Sequence, residues 1–127
     1  MYLFKIVYVC ITKSHDSMEY VKGRENVYEC TRKYWKLDPL KANRADYVAG
    51  VSHGVIKGIF KNTSGWKPCS SFPEFYDDAE VHEHPEYMIE RFAFEGVEAE
   101  EDIQQLFLNT RIPGYLSFHG NVISYGY

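Results

Sequence analysis

The first regular pattern along the chain runs from Phe4 to Thr12, where apolar and aromatic residues occupy positions of both parities. A β-branched and aromatic run of this kind predicts a strand covered on both faces. Residues 14–24 turn polar around Gly23, which predicts a loop or one short helix. Strand character resumes from Val27 to Trp35, with Tyr28, Cys30, Tyr34 and Trp35 around a Thr31-Arg32-Lys33 centre. Asp38-Pro39 has the form of a helix start, Asp as N-cap and Pro at the first helical position, and leads a helix of about two turns.

The clearest local signal follows. Tyr47–Ser52 and Val55–Lys61 are strand-like runs joined at His53-Gly54, a hairpin turn whose Gly takes positive φ at no cost. Gly50 and Gly58 sit in mid-strand, where a missing side chain admits a backbone, a ring or a ligand, or marks a bulge. After a 62–65 loop comes Trp66, then an irregular acidic stretch to Tyr87 that Pro68, Pro73 and Pro85 keep from forming a long helix. Met88 to Phe94 alternates as a strand with one face of rings. Ala99 to Leu108 carries acids in its first turn and Ile103, Leu106 and Phe107 on one face, the pattern of an amphipathic helix, and Asn109 closes it. Val122 to Tyr127 reads as a last strand. The fold class expected is α+β: a small, curved, mostly antiparallel sheet or partial β-barrel with two short helices, in a single domain spanning 1–127.

Composition refines this picture. A chain of 127 residues buries enough surface to hold a core without staples. Its 8 Phe, 2 Trp and 11 Tyr exclude disorder and a long coiled coil, and suggest faces or a pocket lined by rings. A formal net charge of −4 argues against whole-surface binding to duplex DNA or an anionic membrane. The longest apolar run, Ile6 to Ile11, is far short of the roughly 20 residues a membrane span needs, and the N-terminus lacks the form of a signal peptide. Cys10, Cys30 and Cys69 form no CxxC motif and read as reduced thiols, so a cytoplasmic location is expected.

Chemistry-bearing groups are scattered. His82 and His84, with Asp77, Asp78, Glu80, Glu83 and Glu86, would suit a metal if the segment were extended, yet their spacing matches no motif and a solvated acidic loop accounts for them. Neither a P-loop nor GxGxxG, HExxH or GxSxG occurs, no cysteine or serine has a local base signature, and neither metal nor cofactor is expected. What remains is a recognition pattern: Arg24, Asn26, Thr31, Arg32, Trp35, Trp66, Asn121 and Tyr125. Rings stack on bases, Arg grips phosphate or a base edge, and Asn offers both donor and acceptor. The plain alternative assigns both Trp rings to the core and the arginines to surface charge.

The blocks Asn26 to Leu37, Ala45 to Val51, His53 to Phe60, Trp66, Phe92 to Gly96, Leu108 to Pro113 and Gly120 to Tyr125 resemble a domain of bacterial and phage proteins that often accompanies GIY-YIG-type nucleases. The hairpin followed by a Trp is also similar to PUA-like and EVE-like modules, small curved sheets that hold modified bases or RNA in an aromatic pocket. The residues before the match carry no GIY-YIG nuclease motif, so the resemblance implies binding without catalysis: a nucleotide, modified base or short nucleic acid held by an aromatic/Arg pocket, in a protein of phage counter-defence type. Two other readings stand beside it: an interaction inhibitor that offers the acidic 74–90 segment to a host or nuclease protein, and a nucleic-acid-processing enzyme.

Overall fold

The computed structural model describes residues 4–12, 26–114, 116 and 122–127. In chain order these form β1 (Ile6–Cys10), α1 (Val27–Arg32), α2 (Pro39–Ala42), β2 (Tyr47–Ser52), β3 (Val55–Asn62), β4 (Lys67–Pro68), 3₁₀ turns at Cys69–Ser71 and Pro73–Asp77, α3 (Ala79–Glu83), α4 (Tyr87–Glu90), β5 (Phe92–Ala93), β6 (Gly96–Glu98), α5 (Glu101–Phe107) and β7 (Ile123–Tyr125). The main sheet has the order β6-β3-β2-β1-β7, and β4 pairs with β5 in a two-stranded sheet.

The hairpin forms as its sequence predicts. His53 and Gly54 both take positive φ, 52° and 77°, the backbone that a two-residue turn between right-twisted strands demands. A register shift places Val51 opposite Ile56 but Gly50 opposite Gly58, leaving Lys57 as the extra residue of a bulge. The bulge turns Ile56 to the same face as Ile59, while Phe60 looks to the other.

Both sheet faces are covered. Ile6, Tyr8, Tyr47, Val51, Ile56 and Ile59 pack against Ile103 and Phe107 of α5. On the opposite face Val7, Val9, Val48 and Phe60 pack against Cys30, Trp35, Ala42, Trp66 and Phe94. A third cluster, Tyr34, Cys69, Phe72, Phe75, Val81, Met88 and Ala93, gathers the proline-punctuated segment around its own small core.

The α+β class holds, with three corrections. First, the sheet is open and mixed: β1 and β2 pair in parallel, the other pairings are antiparallel, and β6 and β7 stand at opposite edges with no closure into a barrel. A sheet with layers on both faces has no interior side to curl around, and its parallel central pair needs the crossover that residues 26–45 supply. The described residues also hold more short helices than the two expected.

Second, Val27–Arg32 is a helix rather than a strand. Asn26 caps it, its Oδ1 accepting the Glu29 N–H at 2.8 Å, and Glu29 meets Arg32 and Lys33 at helical spacing, 3.1 Å and 2.7 Å away. The sheet glycines make room for it. A Cβ at Gly58 would stand 2.7 Å from Val27 Cγ1, and one at Gly50 would overlap Thr31 Oγ1.

Third, Met88–Phe94 is not a continuous strand. Tyr87–Glu90 winds into α4, burying Met88 in the third cluster and leaving Ile89 81% exposed, and only Phe92–Ala93 is extended. The proline-bounded chain before it forms single helical turns: Pro73 opens the one at Pro73–Asp77, and Pro85 lies between α3 and α4.

Candidate functional site

Of the residues chosen from sequence, Arg24 and Asn121 lie outside the described residues. Thr31, Trp35 and Trp66 are brought together, but inside the protein. Trp35 donates from Nε1 to the Thr31 carbonyl at 2.8 Å, and its backbone bridges to Phe92. Trp66 packs on Phe94 with ring centroids 4.8 Å apart, and its backbone is held from both sides by the Asn43 amide. Trp35 is 7% exposed and Trp66 3%, and both belong to the core beneath α1. Tyr125 is half-buried at the sheet edge, where its hydroxyl accepts the Asp38 N–H at 3.2 Å and its ring faces Lys41 Nζ at 4.5 Å.

Arg32 belongs to a different group. Its Nε donates to the Phe94 carbonyl at 2.9 Å and its Nη1 to Glu29 at 3.1 Å, while Nη2 is buried with no hydrogen-bond partner among the described residues. Lys33 Nζ lies between Glu29, at 2.7 Å, and Asp78, at 2.9 Å. Asp78 also accepts the Tyr34 hydroxyl, and burial followed by this bond pushes the tyrosine pKa up. The Phe75 ring faces both cations, each 4.9 Å from its centroid. Arg32 and Lys33 are thus matched by Glu29 and Asp78. Asp78 stands at the N-cap of α3 yet makes no capping bond with its side chain, because that carboxylate reaches across to Lys33 and Tyr34. Two cations already neutralised and hydrogen-bonded are poorly placed to draw a phosphate, and the arrangement ties the proline-punctuated segment to α1.

The described surface carries a cleft of about 540 Å³ elsewhere, lined by residues 26–28, 57–60 and 96–98 together with Gln104 and Leu108. Its β3 wall is the stretch where pairing changes hands. Ile59 still accepts from Ala99, but Ile56 exchanges backbone hydrogen bonds with Asn109 and Thr110 beyond α5. Tyr28 is fixed on three sides: its ring tilts on Phe60 at 5.3 Å, meets Phe94 edge-on at 6.3 Å, and its hydroxyl accepts the Gly96 N–H at 2.9 Å. Val27, Ile59, Phe60 and Leu108 make the apolar lining, while Asn26, Lys57, Val97 and Glu98 are exposed at it. Among the described residues, Asn26 is the one sequence-chosen residue found in the cleft. Tyr28, Lys57, Glu98 and Gln104 were not singled out, although Asn26-x-x-Glu29 is a capping-box spacing that signals a helix placing Tyr28 next to the cap.

His82 and His84 do not share a side of an extended strand. His82 lies in α3 with Nε2 2.8 Å from the Tyr76 carbonyl, and His84, past the end of that helix, stacks on Tyr87 at 4.8 Å. Among the described residues no group of three or more His, Cys, Asp or Glu is placed to hold a metal ion. No described helix is long and apolar enough to cross a membrane. Comparison with protein-family models, with curated proteins and with solved structures finds no match for this chain.

Proposed function

We propose that this chain is a non-catalytic binding module that takes a nucleotide, or a base of a short single strand, in the cleft between α1, β3 and β6. One observation carries the reading: a cavity of about 540 Å³, within the size usual for small-ligand sites, has apolar walls, a fixed tyrosine ring and a few polar groups. Lys57 is exposed beside it and supplies the cation a phosphate requires. A net charge of −4 favours a small ligand over a long duplex, which would need many more cations. Trp66 and Arg32 serve this site from behind, since Phe94, which Trp66 and the Arg32 side chain both contact, supports the Tyr28 ring.

The test is calorimetric titration with nucleoside monophosphates and short oligonucleotides. Lys57→Glu and Val97→Asp alter exposed positions and leave the core intact, so each is expected to weaken binding tenfold or more with unchanged Tm. Failure of every nucleotide to bind, or binding indifferent to both substitutions, overturns the proposal.

A second reading rests on Tyr76 and Ile89, 53% and 81% exposed on a segment that also exposes Glu74, Asp77, Glu83, Glu86 and Glu90. There the segment would dock on a basic host or nuclease protein. Reversing Asp77, Glu86 and Glu90, and sparing the structural Asp78, would abolish capture of such a partner; unchanged capture removes this reading.

A further inference from the structure

The two edges of the main sheet are built differently. At β7, the Cys10 N–H donates to the Val122 carbonyl at 2.7 Å and the Gly126 N–H to the Ile6 carbonyl at 2.9 Å, with Ser124 opposite Tyr8 between them. Antiparallel pairing alternates, so residues 122, 124 and 126 turn their backbone groups toward β1, while Ile123 and Tyr125 turn theirs out of the sheet. Among the described residues, no backbone hydrogen bond reaches these outward N–H and C=O groups. At β6 the same alternation, set by the Ala99 N–H on the Ile59 carbonyl and by Val97 opposite Lys61, turns Gly96 and Glu98 outward. There the Tyr28 hydroxyl accepts the Gly96 N–H at 2.9 Å, and Glu98 puts an exposed charge on the strand. Charges, prolines and covering groups are what keep an exposed edge from pairing with another chain. Residues 122–127 carry neither a charge nor a proline.

We infer that β7 is a dimerisation edge, which pairs antiparallel with β7 of a second copy of this chain. The register singles out that occupant. A two-fold axis through Ser124 sets Ile123 opposite Tyr125 of the second copy and Tyr125 opposite its Ile123. All four residues present outward backbone groups, so each opposed pair exchanges two N–H···O=C bonds. The same register stands a β-branched side chain beside an aromatic ring twice over, a favourable cross-strand combination, and brings no like charges together. The edge is also held in place for pairing: the Tyr125 hydroxyl accepts the Asp38 N–H, Lys41 Nζ faces its ring, and the Tyr127 hydroxyl donates to the Lys41 carbonyl at 2.7 Å. Leu40, between Asp38 and Lys41 and 83% exposed, adds apolar surface beside it. The cleft lies against β3 and β6, at the far side of each sheet, so the dimer leaves both clefts open.

Sedimentation velocity on the full chain, over a concentration series reaching the millimolar range, should show a reversible monomer–dimer equilibrium. Amide hydrogen exchange, followed over the same series, should slow at Ile123 and Tyr125 as dimer forms and stay constant at Ser124, whose N–H already faces β1. Ser124→Lys sets like charges across the two-fold axis, and Ser124→Asp does so with the opposite sign, so each alone should weaken dimerisation roughly tenfold or more. An equal mixture of the two should restore it, a rescue that a folding defect cannot produce. Lys57→Glu, at the other edge, should leave dimerisation unchanged. A chain that stays monomeric throughout, a dimer whose exchange at Ile123 and Tyr125 is unaltered, or Ser124 variants that pair as the parent chain does would each overturn the inference. So would slowed exchange at this edge on adding an unrelated extended peptide to a chain that does not self-associate. None of these results touches the nucleotide reading, which the titrations above decide.

Discussion

Gly50→Ala tests the contact on which α1 depends. A methyl at this position would overlap Thr31 Oγ1 and stand 3.3 Å from Ile11 Cδ1. Thr31 is 0% exposed, and its hydroxyl donates to the Val27 carbonyl at 2.7 Å, so it cannot rotate aside without breaking that bond. Overpacking of this kind costs about 2 kcal/mol, or roughly 8 °C in Tm for a domain of this size. Thr31→Ala alone should cost about 1–2 kcal/mol, from one hydrogen bond and a buried methyl. In the double variant the overlapping oxygen is gone. Its cost should fall to nearly that of Thr31→Ala alone, a coupling of about 2 kcal/mol between the sites. Urea unfolding followed by tryptophan fluorescence, with calorimetry as a second probe, measures the cycle. Costs that add to within about 0.5 kcal/mol would refute the claim that a missing side chain at Gly50 is what seats α1. Nucleotide binding by Thr31→Ala should be unchanged, since the hydroxyl serves the helix.

Other outcomes follow from the same geometry. Asp78→Asn strips Lys33 of one of its two carboxylates and should cost about 2 kcal/mol in urea unfolding, less than a fully orphaned buried charge because Glu29 stays at 2.7 Å. Trp66→Ala should cost about 3–5 kcal/mol, whereas Trp66→Phe should cost far less, since the buried Nε1 it deletes has no hydrogen-bond partner among the described residues. The hydrogen bond to Glu100, then burial, raises Tyr47 from 10.0 to about 12. A folded-state value above the unfolded one means that this stabilisation is complete below pH 10 and is lost as pH rises toward 12, so Tm should fall across that window, less steeply in Tyr47→Phe. The same bond holds Glu100 below its ordinary value of 4.5, a contribution present above that pH and lost as pH falls through the depressed value. An acid-side Tm series on Tyr47→Phe should lack that loss.

Features whose cause lies within a few residues were legible in the sequence. The hairpin needed only a two-residue turn with positive φ, and the start of α2 only an Asp cap and Pro39, although that helix winds one turn rather than two; α5 needed its acidic first turn with Ile103 and Phe107, while Leu106, expected on the same face, is 56% exposed. The apolar run of β1 announced burial on both faces, because the side chains of either parity require a covering layer. Gly50 and Gly58 were legible as places of close approach, but not what approaches them. The reason is distance along the chain: residues 27–32 carry strand-like side chains, and although the Asn26 cap is a local helix signal, the two glycines that seat the helix lie on strands that follow.

The candidate site divides along the same line. Composition marked Trp35 and Trp66 as rings that could stack on a base, yet whether a ring faces solvent depends on which layers cover the sheet, and both are covered. Lys57, Glu98 and Gln104 are unremarkable in sequence, and Asn26 is marked there only as one amide of the recognition pattern. They converge only because a bulge at Lys57, the short edge strand β6 and the departure of α5 open the sheet beside α1. Local chemistry, acting over one turn of helix or hairpin, was thus determined by the sequence alone. Which surfaces meet, and so which residues a ligand reaches, was decided by parallel pairing of β1 with β2 across some forty residues and by helices packed on both faces of that sheet.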